Sequence, residues 1–297
     1  MKPILRYLKR SQIDEAKWND VIANSVSGLP YAYSWYLDCV APEWRGLVYG
    51  DYEIVMPIPV GTKFGIKYVY QPLFCQQLGA FSKQEIKPAA LKKMIELVTK
   101  KYYFIHQNLN YSNTFDNIKK KTARKNLILP LYTSYEEIKK RYSDNLTRNI
   151  KRAHRKGLQI TGEEDGFVEF YIENTAVRDD NFKFQHKEQL KNLVEQLKQH
   201  NMARLLFVKN REQKLSAAGL FVETPTRIIN LLPATNDRGR ANGAMHFLID
   251  SLLQESQNSK RIFDFEGSSV LSIARFYKSF GAKEETFDCI NKKLIVL

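Results

Sequence analysis

The apolar residues of this chain come only in short pieces. Among the longest, residues 205–208 and 228–234 are of strand length, and Asn230 interrupts the second. A membrane span needs about 18 consecutive apolar residues, so no transmembrane segment is expected. Pieces of this size build layers in which strands and amphipathic helices each bury one side. Single domains cluster near roughly 100–150 residues, and 297 residues therefore suggest about two. With 43% hydrophobic and 26% charged residues, a sizeable core is available and disorder of the whole chain is excluded.

The first twenty residues carry Lys2, Arg6, Lys9, Arg10, Asp14, Glu15 and Lys17 with no uninterrupted apolar run, so a cytoplasmic location is expected. Cys39, Cys75 and Cys289 are odd in number and far apart, which suits buried thiols rather than a disulfide framework. The net charge of +14 is unevenly placed: residues 1–150 hold 23 basic and 13 acidic side chains, residues 151–297 hold 23 and 19. Lys119, Lys120, Lys121, Arg124 and Lys125 form one run. In a second, from Lys139 to Lys156, eight Lys and Arg face the single acid Asp144. Such a field attracts polyanions, phosphate-bearing ligands or anionic membrane surfaces without choosing among them.

Periodicity alternates along the chain. The first half predicts helices near 13–23 and 85–101 and strand-like pieces at 53–60, 66–70 and 103–109, an α/β (α+β) texture with mixed strands. Residues 143–157 predict the most legible helix. Leu146, Ile150 and Ala153 share one face, Arg148, Lys151, Arg152, Arg155 and Lys156 another, and Gly157 ends it. The domain border is placed just before it, giving modules 1–142 and 143–297. The second half then predicts helices at 167–178 and 187–199, strands at 204–209, 215–223 and 227–233, a polar Gly-rich loop, a helix at 244–254, a strand at 261–265, a helix at 269–280 and a strand near 286–296.

Several chemistries lack their signatures. His106, His154, His186, His200 and His246 show no metal-ligand spacing, so no metal is expected, and no G-x-S-x-G, Walker or G-x-G-x-x-G motif occurs. The informative segment is 229–253: a strand, then Ala-Thr-Asn-Asp-Arg-Gly-Arg-Ala-Asn-Gly, then an amphipathic helix. A small-residue turn at a helix N-terminus offers free amides and a positive dipole end to a diphosphate, with Arg238 and Arg240 adding charge. Here the chain resembles the GNAT acyl-CoA N-acyltransferases, whose Q/R-x-x-G-x-G/A loop holds coenzyme A; Arg240 begins R-x-x-G and Arg238 begins R-x-x-A-x-G. Tyr277 and Gly281 match the tyrosine–glycine spacing of a later GNAT helix. The segments holding Asp264, Phe265, Gly267, Ser268, Phe276, Phe280 and Gly281 also resemble the D-F-x-G-S and F-K-x-x-F-G stretches of the FemAB peptidyltransferases. That family, too, has a basic helix ending in glycine where this chain has 148–157.

The resemblance implies two tandem GNAT-like modules, each a mixed, mostly antiparallel sheet flanked by helices, and an N-acyltransferase of the FemAB-related kind. Its acceptor would be an amine of a small molecule, peptide or cell-wall precursor. The family's motif lysine position is Tyr277 here, with Lys278 one step along, which moves weight from aminoacyl-tRNA toward acyl-CoA as co-substrate. An amine attacks a thioester or ester carbonyl, backbone amides of the strand 229–233 polarise it, and a phenol returns a proton to the leaving group. Tyr277 is the expected acid, with a pKa near its unperturbed value of about 10. Asp264 or Glu266 would accept the proton of the incoming ammonium or orient it. Asn236, Arg238, Gly239, Arg240, Asn242 and Gly243 are expected at the donor. Trp35, Tyr36, Gln71, Gln76, Arg148, Arg152 and Lys278 are expected at the acceptor or its phosphates. The rival reading is a non-catalytic protein that holds RNA, tRNA included, or a phosphorylated precursor on the same basic helix.

Overall fold

A computed structural model describes residues 4–113, 121–162, 165–176, 182–267 and 270–293. Lys119, Lys120 and Ser268, singled out above, lie outside the described residues, as do 177–178 and 269 of two expected helices and 294–296 of the expected last strand. The chain folds as two compact units, Met1–Lys125 with Glu285–Leu297, and Asn126–Glu284. The expected border between 142 and 143 falls inside the second unit.

In the first unit, β1 (Leu5–Lys9), α1 (Glu15–Ala23), α2 (Ser34–Val40), β2 (Trp44–Tyr49), β3 (Ile54–Lys63), β4 (Ile66–Val69), α3 (Pro88–Lys101) and β5 (Ile105–Asn108) follow one another. The strands are ordered β1-β2-β3-β4-β5, and β12 (Lys283–Lys292), from the end of the chain, pairs antiparallel with β5. Helix α3 lays Ala90, Leu91, Met94, Ile95 and Val98, all buried, against Met56, Ile58 and Val60 of β3. On α1, the Asp14 side chain caps by accepting from the Lys17 amide at 3.1 Å, and Trp18 is fully buried, donating its indole N–H to the Ala32 carbonyl at 2.7 Å. Strands β1 and β2 carry no clean alternation, which is why their sequence does not announce them.

The second unit takes β6 (Lys121–Pro130) from residue 126 on, then α4 (Tyr135–Lys139), α5 (Asp144–Arg155), β7 (Gln159–Thr161), α6 (Phe167–Asn174), α7 (Phe184–Gln199), β8 (Ala203–Lys209), β9 (Leu215–Glu223), β10 (Arg227–Thr235), α8 (Asp237–Asn242), α9 (Ala244–Glu255), β11 (Ile262–Asp264) and α10 (Leu271–Lys278). The order β7-β8-β9-β10-β11-β6 repeats that of the first unit strand for strand, including the parallel pair at the fourth and fifth positions, β4 with β5 and β10 with β11. The sixth strands are exchanged in sequence. The strand after β5, β6, pairs with β11, and the strand after β11, β12, pairs with β5.

The expected α/β architecture of mostly antiparallel strands is therefore the one observed, and the duplication is carried by topology rather than by repeated residues. One expectation is corrected: the stretch after β10 is not a Gly-rich loop but a six-residue helix, α8, because Asn236 caps it and Gly239 lets it sit against β9. Among the described residues no helix is long and apolar enough to cross a membrane. Phe263 lies at the centre of the second core, within 6.1 Å of Phe221 and 4.7 Å of Phe265 by ring centroid. Phe263→Ala is expected to destabilise the protein by about 3–5 kcal/mol, read as a lowered urea midpoint with an unchanged slope.

Candidate functional site

The site is built where β10 and β11 part. Their parallel pairing covers only Arg227 with Ile262, Ile228 with Phe263 and Ile229 with Asp264, and β10 then runs on to Thr235 without β11. On its other edge β10 pairs with β9, with a bulge between Asn230 and Leu232. A bulge turns a strand and re-aims its side chains. At this point Asn230 is 1% exposed, and among the described residues its amide nitrogen and oxygen make no close hydrogen bond, the Tyr277 hydroxyl being the polar group beside them. A buried amide short of its full set of hydrogen bonds costs free energy that a ligand group could recover. In the sequence, Asn230 is no more than an interruption of an apolar run.

Tyr277, on α10, adjoins Asn230. It is 6% exposed and packs on Phe265 at 4.8 Å and Phe276 at 5.5 Å. Burial, reinforced by the charge of Glu266, raises its pKa well above the ordinary value, with the Asn230 amide pulling weakly the other way. The expectation of an unperturbed phenol near 10 is thus corrected. The hydroxyl stays neutral and offers a hydrogen bond, but it is a weaker proton donor than a solvated tyrosine. Glu266 sits half-buried in a left-handed conformation, φ 52°, its amide held by Asp264 at 2.9 Å.

Asp264 is not placed to receive a proton from an amine. It is fully buried, and Arg227, 1% exposed, donates to its Oδ2 at 2.6 Å while Asn126 donates to its Oδ1 at 2.9 Å. The Asn126 carbonyl oxygen in turn accepts from the amides of Leu127 at 2.8 Å and Gly267 at 2.7 Å. Arg227, Asn126 and Asp264 together fix the ends of β10, β6 and β11. The sequence could not show this, because Arg227 and Asp264 are 37 residues apart and Asn126 is farther still.

The residues expected to cradle a donor's diphosphate are engaged within the fold. Asn236 accepts from the Gly239 amide at 2.7 Å and donates to the Leu215 carbonyl at 2.8 Å. Arg238 pairs with Glu212 at 3.3 Å, and Arg240 with Asp237 and the Thr235 carbonyl. A Cβ on Gly239 would stand 1.9 Å from the Ser216 carbonyl oxygen, and one on Gly243, φ 77°, 2.7 Å from that of Asn149 on α5. Both glycines therefore serve close packing of protein on protein. Asn242 ends α8, half-buried. Arg152 donates at 3.1 Å to the Ala241 carbonyl, tying α5 to α8.

The remaining cations of α5 differ. Arg148, Lys151, Arg155 and Lys156 are exposed and form no ion pair among the described residues, so the stripe read from sequence is free for an external anion. Lys278 is committed to Glu284 at 2.7 Å. His246, in the first turn of α9, stands edge-on to Phe276 at 4.8 Å; burial, then the charge of Arg152, pushes its pKa down to about 4.

Of the residues expected at the acceptor, Trp35, Tyr36, Gln71 and Gln76 belong to the first unit. Tyr36 is fully buried and donates to the Phe74 carbonyl. Gln71 accepts from the Asn108 amide at 2.9 Å and donates to the Cys75 carbonyl at 2.5 Å. Gln76 accepts from Gln77 at 2.8 Å. These three hold the turn before α3 onto β5. Trp35 is half-buried, stacked on Tyr33 at 5.3 Å and tilted against Tyr36 at 5.8 Å.

Asp264→Asn should lower stability by about 3–5 kcal/mol, since Arg227 is left buried with its charge uncompensated. Glu266→Gln should change stability by less than about 1 kcal/mol; urea unfolding separates the two. His246 is neutral when folded and charges when unfolded, so stability should fall by roughly 2 kcal/mol as pH drops from about 6.5 to 4. His246→Phe should remove that part of the pH dependence.

No protein family matches the sequence, nor does any curated protein. Among solved structures the chain is similar to FemX, at 11% identity over 97% of each chain with a TM-score of 0.67. It is also similar to the DUF2156 domain assigned to a lysylphosphatidylglycerol synthetase of Agrobacterium fabrum, at 11% identity over 96% and 93% with a TM-score of 0.59. L-PGS from Bacillus licheniformis matches at 12% identity over 95% and 92%, TM-score 0.56. At such identities the likeness is one of fold, and the chain has the FemX-type, GNAT-like fold that its motifs anticipate.

Proposed function

We propose that this protein is an acyltransferase that moves an acyl or aminoacyl group from an activated carrier to an amine, and that the reacting carbonyl sits where β10 parts from β11. The observation that carries this reading is the Asn230 amide, buried at the point of divergence with the neutral Tyr277 hydroxyl beside it and, among the described residues, no close hydrogen bond to either of its polar atoms. Fixed dipoles at a buried point are suited to stabilising charge that develops on a carbonyl oxygen or a leaving atom. Asn230 can donate its N–H to the carrier's reacting carbonyl and accept from the amino group of a transferred aminoacyl group. Tyr277, its phenol raised, acts as a hydrogen-bond donor to the leaving atom and not as a full acid. The name of one fold neighbour, a lysylphosphatidylglycerol synthetase, supports transfer of an aminoacyl group. The acceptor class is the amine of a small molecule, peptide or cell-wall precursor.

For the carrier, the disposition of cations supports one choice over the other. At the turn before α9, Arg238 and Arg240 are paired with exposed carboxylates rather than turned to an empty cradle. In the same unit α5 carries an exposed stripe of cations without ion pairs among the described residues, which favours a long polyanion, an aminoacyl-tRNA, over acyl-CoA.

Asn230→Ala and Tyr277→Phe are each expected to lower kcat by roughly 10²-fold with little change in the KM for the amine. Thermal midpoints of the variants serve as the folding control. A Tyr277→Phe enzyme with an undiminished chemical step removes the phenol from the reading. Titration with coenzyme A and with charged tRNA at several salt concentrations decides the carrier. The tRNA complex should weaken steeply with salt and lose about one unit of slope for each of Arg148 and Lys151 replaced by Ala. If tRNA binds but no ester or thioester is consumed with any amine, the protein is a binder and not an enzyme.

A further inference from the structure

One end of the first unit combines free cations with apolar side chains held in water, and none of it belongs to the parted strands. Strands β3 and β4 are joined by a two-residue turn, Lys63 pairing with Ile66 across Phe64 and Gly65. Both turn residues are left-handed, φ 51° and 75°, the signature of a type I′ hairpin that normally selects Asn-Gly or Asp-Gly. Phe64 is an unfavourable choice for such a backbone, and the fold gains nothing from its ring, which is 93% exposed with only the Lys63 ammonium over it at 5.6 Å. Ile66 is 50% exposed. Register brings further apolar groups to the same end: Val69 at the close of β4 pairs with Ile105, whose neighbours Tyr103 and Phe104 are 61% and 37% exposed. Four of the large apolar side chains that the chain leaves in water thus gather at one end of one sheet.

Beneath the hairpin lies a cavity of about 390 Å³ walled by Tyr7, Lys9, Arg45, Lys67, Lys101 and Tyr102. Among the described residues no carboxylate lines it. Arg45 has one distant partner, Glu43 at 3.5 Å, which is itself 73% exposed, and Lys9, Lys67 and Lys101 form no ion pair among the described residues. The Lys101 ammonium stands 4.7 Å from the centre of the Tyr7 ring, and the Tyr7 and Tyr102 hydroxyls are hydrogen-bonded to each other at the cavity wall. Lys9 and Arg45 are register partners at the ends of β1 and β2, on the side of the sheet toward which the β3–β4 hairpin projects. The site is a basic recess with a hydrophobic finger at its mouth.

We propose that this end of the first unit docks on an anionic membrane surface, with Phe64 and Ile66 entering the boundary between headgroups and acyl chains and the recess taking a lipid phosphate. Complementary charge selects the partner: several cations without carboxylates attract a surface of fixed negative charge, and each basic residue near such a surface adds to the attraction. The apolar tip selects a bilayer over a nucleic acid. An aliphatic side chain such as Ile66 has no stacking partner on a base, whereas both side chains lose their exposure to water at the headgroup boundary. The long stems of Lys63 and Lys67 beside them can lie along the interface with their ammonium groups at phosphate level.

The test is co-sedimentation of the full chain with vesicles of phosphatidylcholine alone and of phosphatidylcholine with about 30% phosphatidylglycerol at roughly 0.1 M salt. The expected result is a partition coefficient at least about tenfold higher on the anionic vesicles. Phe64→Ser with Ile66→Ser should lower it roughly tenfold, and Lys67→Ala with Lys101→Ala should lower it by a similar factor and flatten its salt dependence. All four side chains are exposed or at the rim, so unchanged thermal midpoints are expected. As a readout independent of losses, Phe64→Trp should bind at least as well as the natural chain, with emission shifted to the blue on anionic vesicles only. Equal partitioning onto both vesicle types overturns the proposal. So does anionic binding that Phe64→Ser with Ile66→Ser leaves intact. If a single-stranded RNA displaces the vesicles and requires the same lysines but not Phe64, the surface is a nucleic-acid site and the proposal fails.

Discussion

The second unit is organised around one buried ion pair. Arg227 and Asp264 are taken out of water almost completely, a transfer that costs several kcal/mol per charge unless geometry and further hydrogen bonds offset it. Here the offset comes from Asn126 and from the Glu266 amide, which occupy the remaining carboxylate oxygen. The cluster joins β6, β10 and β11 where their pairing is only three residues deep. An apolar pair of the same volume would supply packing there but no direction. The charged pair specifies which atoms meet, and so where the parallel strands stop being parallel. The divergence, the stranded Asn230 amide and the position of Tyr277 all follow from that anchor.

Two of the titratable groups in this unit share a second property: burial keeps Tyr277 and His246 uncharged. Tyr277 is raised by desolvation and the Glu266 charge, and His246 is lowered by desolvation and the Arg152 charge. In the proposed reading, neutral dipoles such as the Asn230 amide and the Tyr277 hydroxyl act through orientation, while an exposed cationic stripe lies apart on α5. On that same reading, recognition of a polyanionic carrier and stabilisation of the reacting carbonyl fall to different elements. The two can be altered separately.

Local pattern was enough for much of this. Ser143 and Gly157 bound the α5 helix, the apolar spacing of α9 and α3 is plain, and the strand–helix–strand–helix order from β10 to α10 carries the GNAT-like resemblance. What the sequence concealed was partnership at a distance. Asp264 reads as a carboxylate at a strand end until Arg227 is found against it, and Arg238 and Arg240 read as free until Glu212 and Asp237 are found beside them. The turn before Ala244 reads as an open loop because its glycines suggest freedom, whereas Gly239 and Gly243 are small so that Ser216 and Asn149 can approach. Asn230 was legible only as a defect in an apolar run, since no local signal distinguishes an amide that is satisfied from one that is not.

The exchange of sixth strands couples the two halves through the order in which the ribosome delivers them. β5 emerges early, but the strand that covers its edge comes, among the described residues, after every other strand in sequence. Throughout synthesis of the second half, the first half therefore presents a bare β-edge, a template for pairing with other chains. A simple head-to-tail duplication, with each sixth strand following its own fifth, would impose no such waiting period. Translation speed through the second half becomes part of the protein's yield.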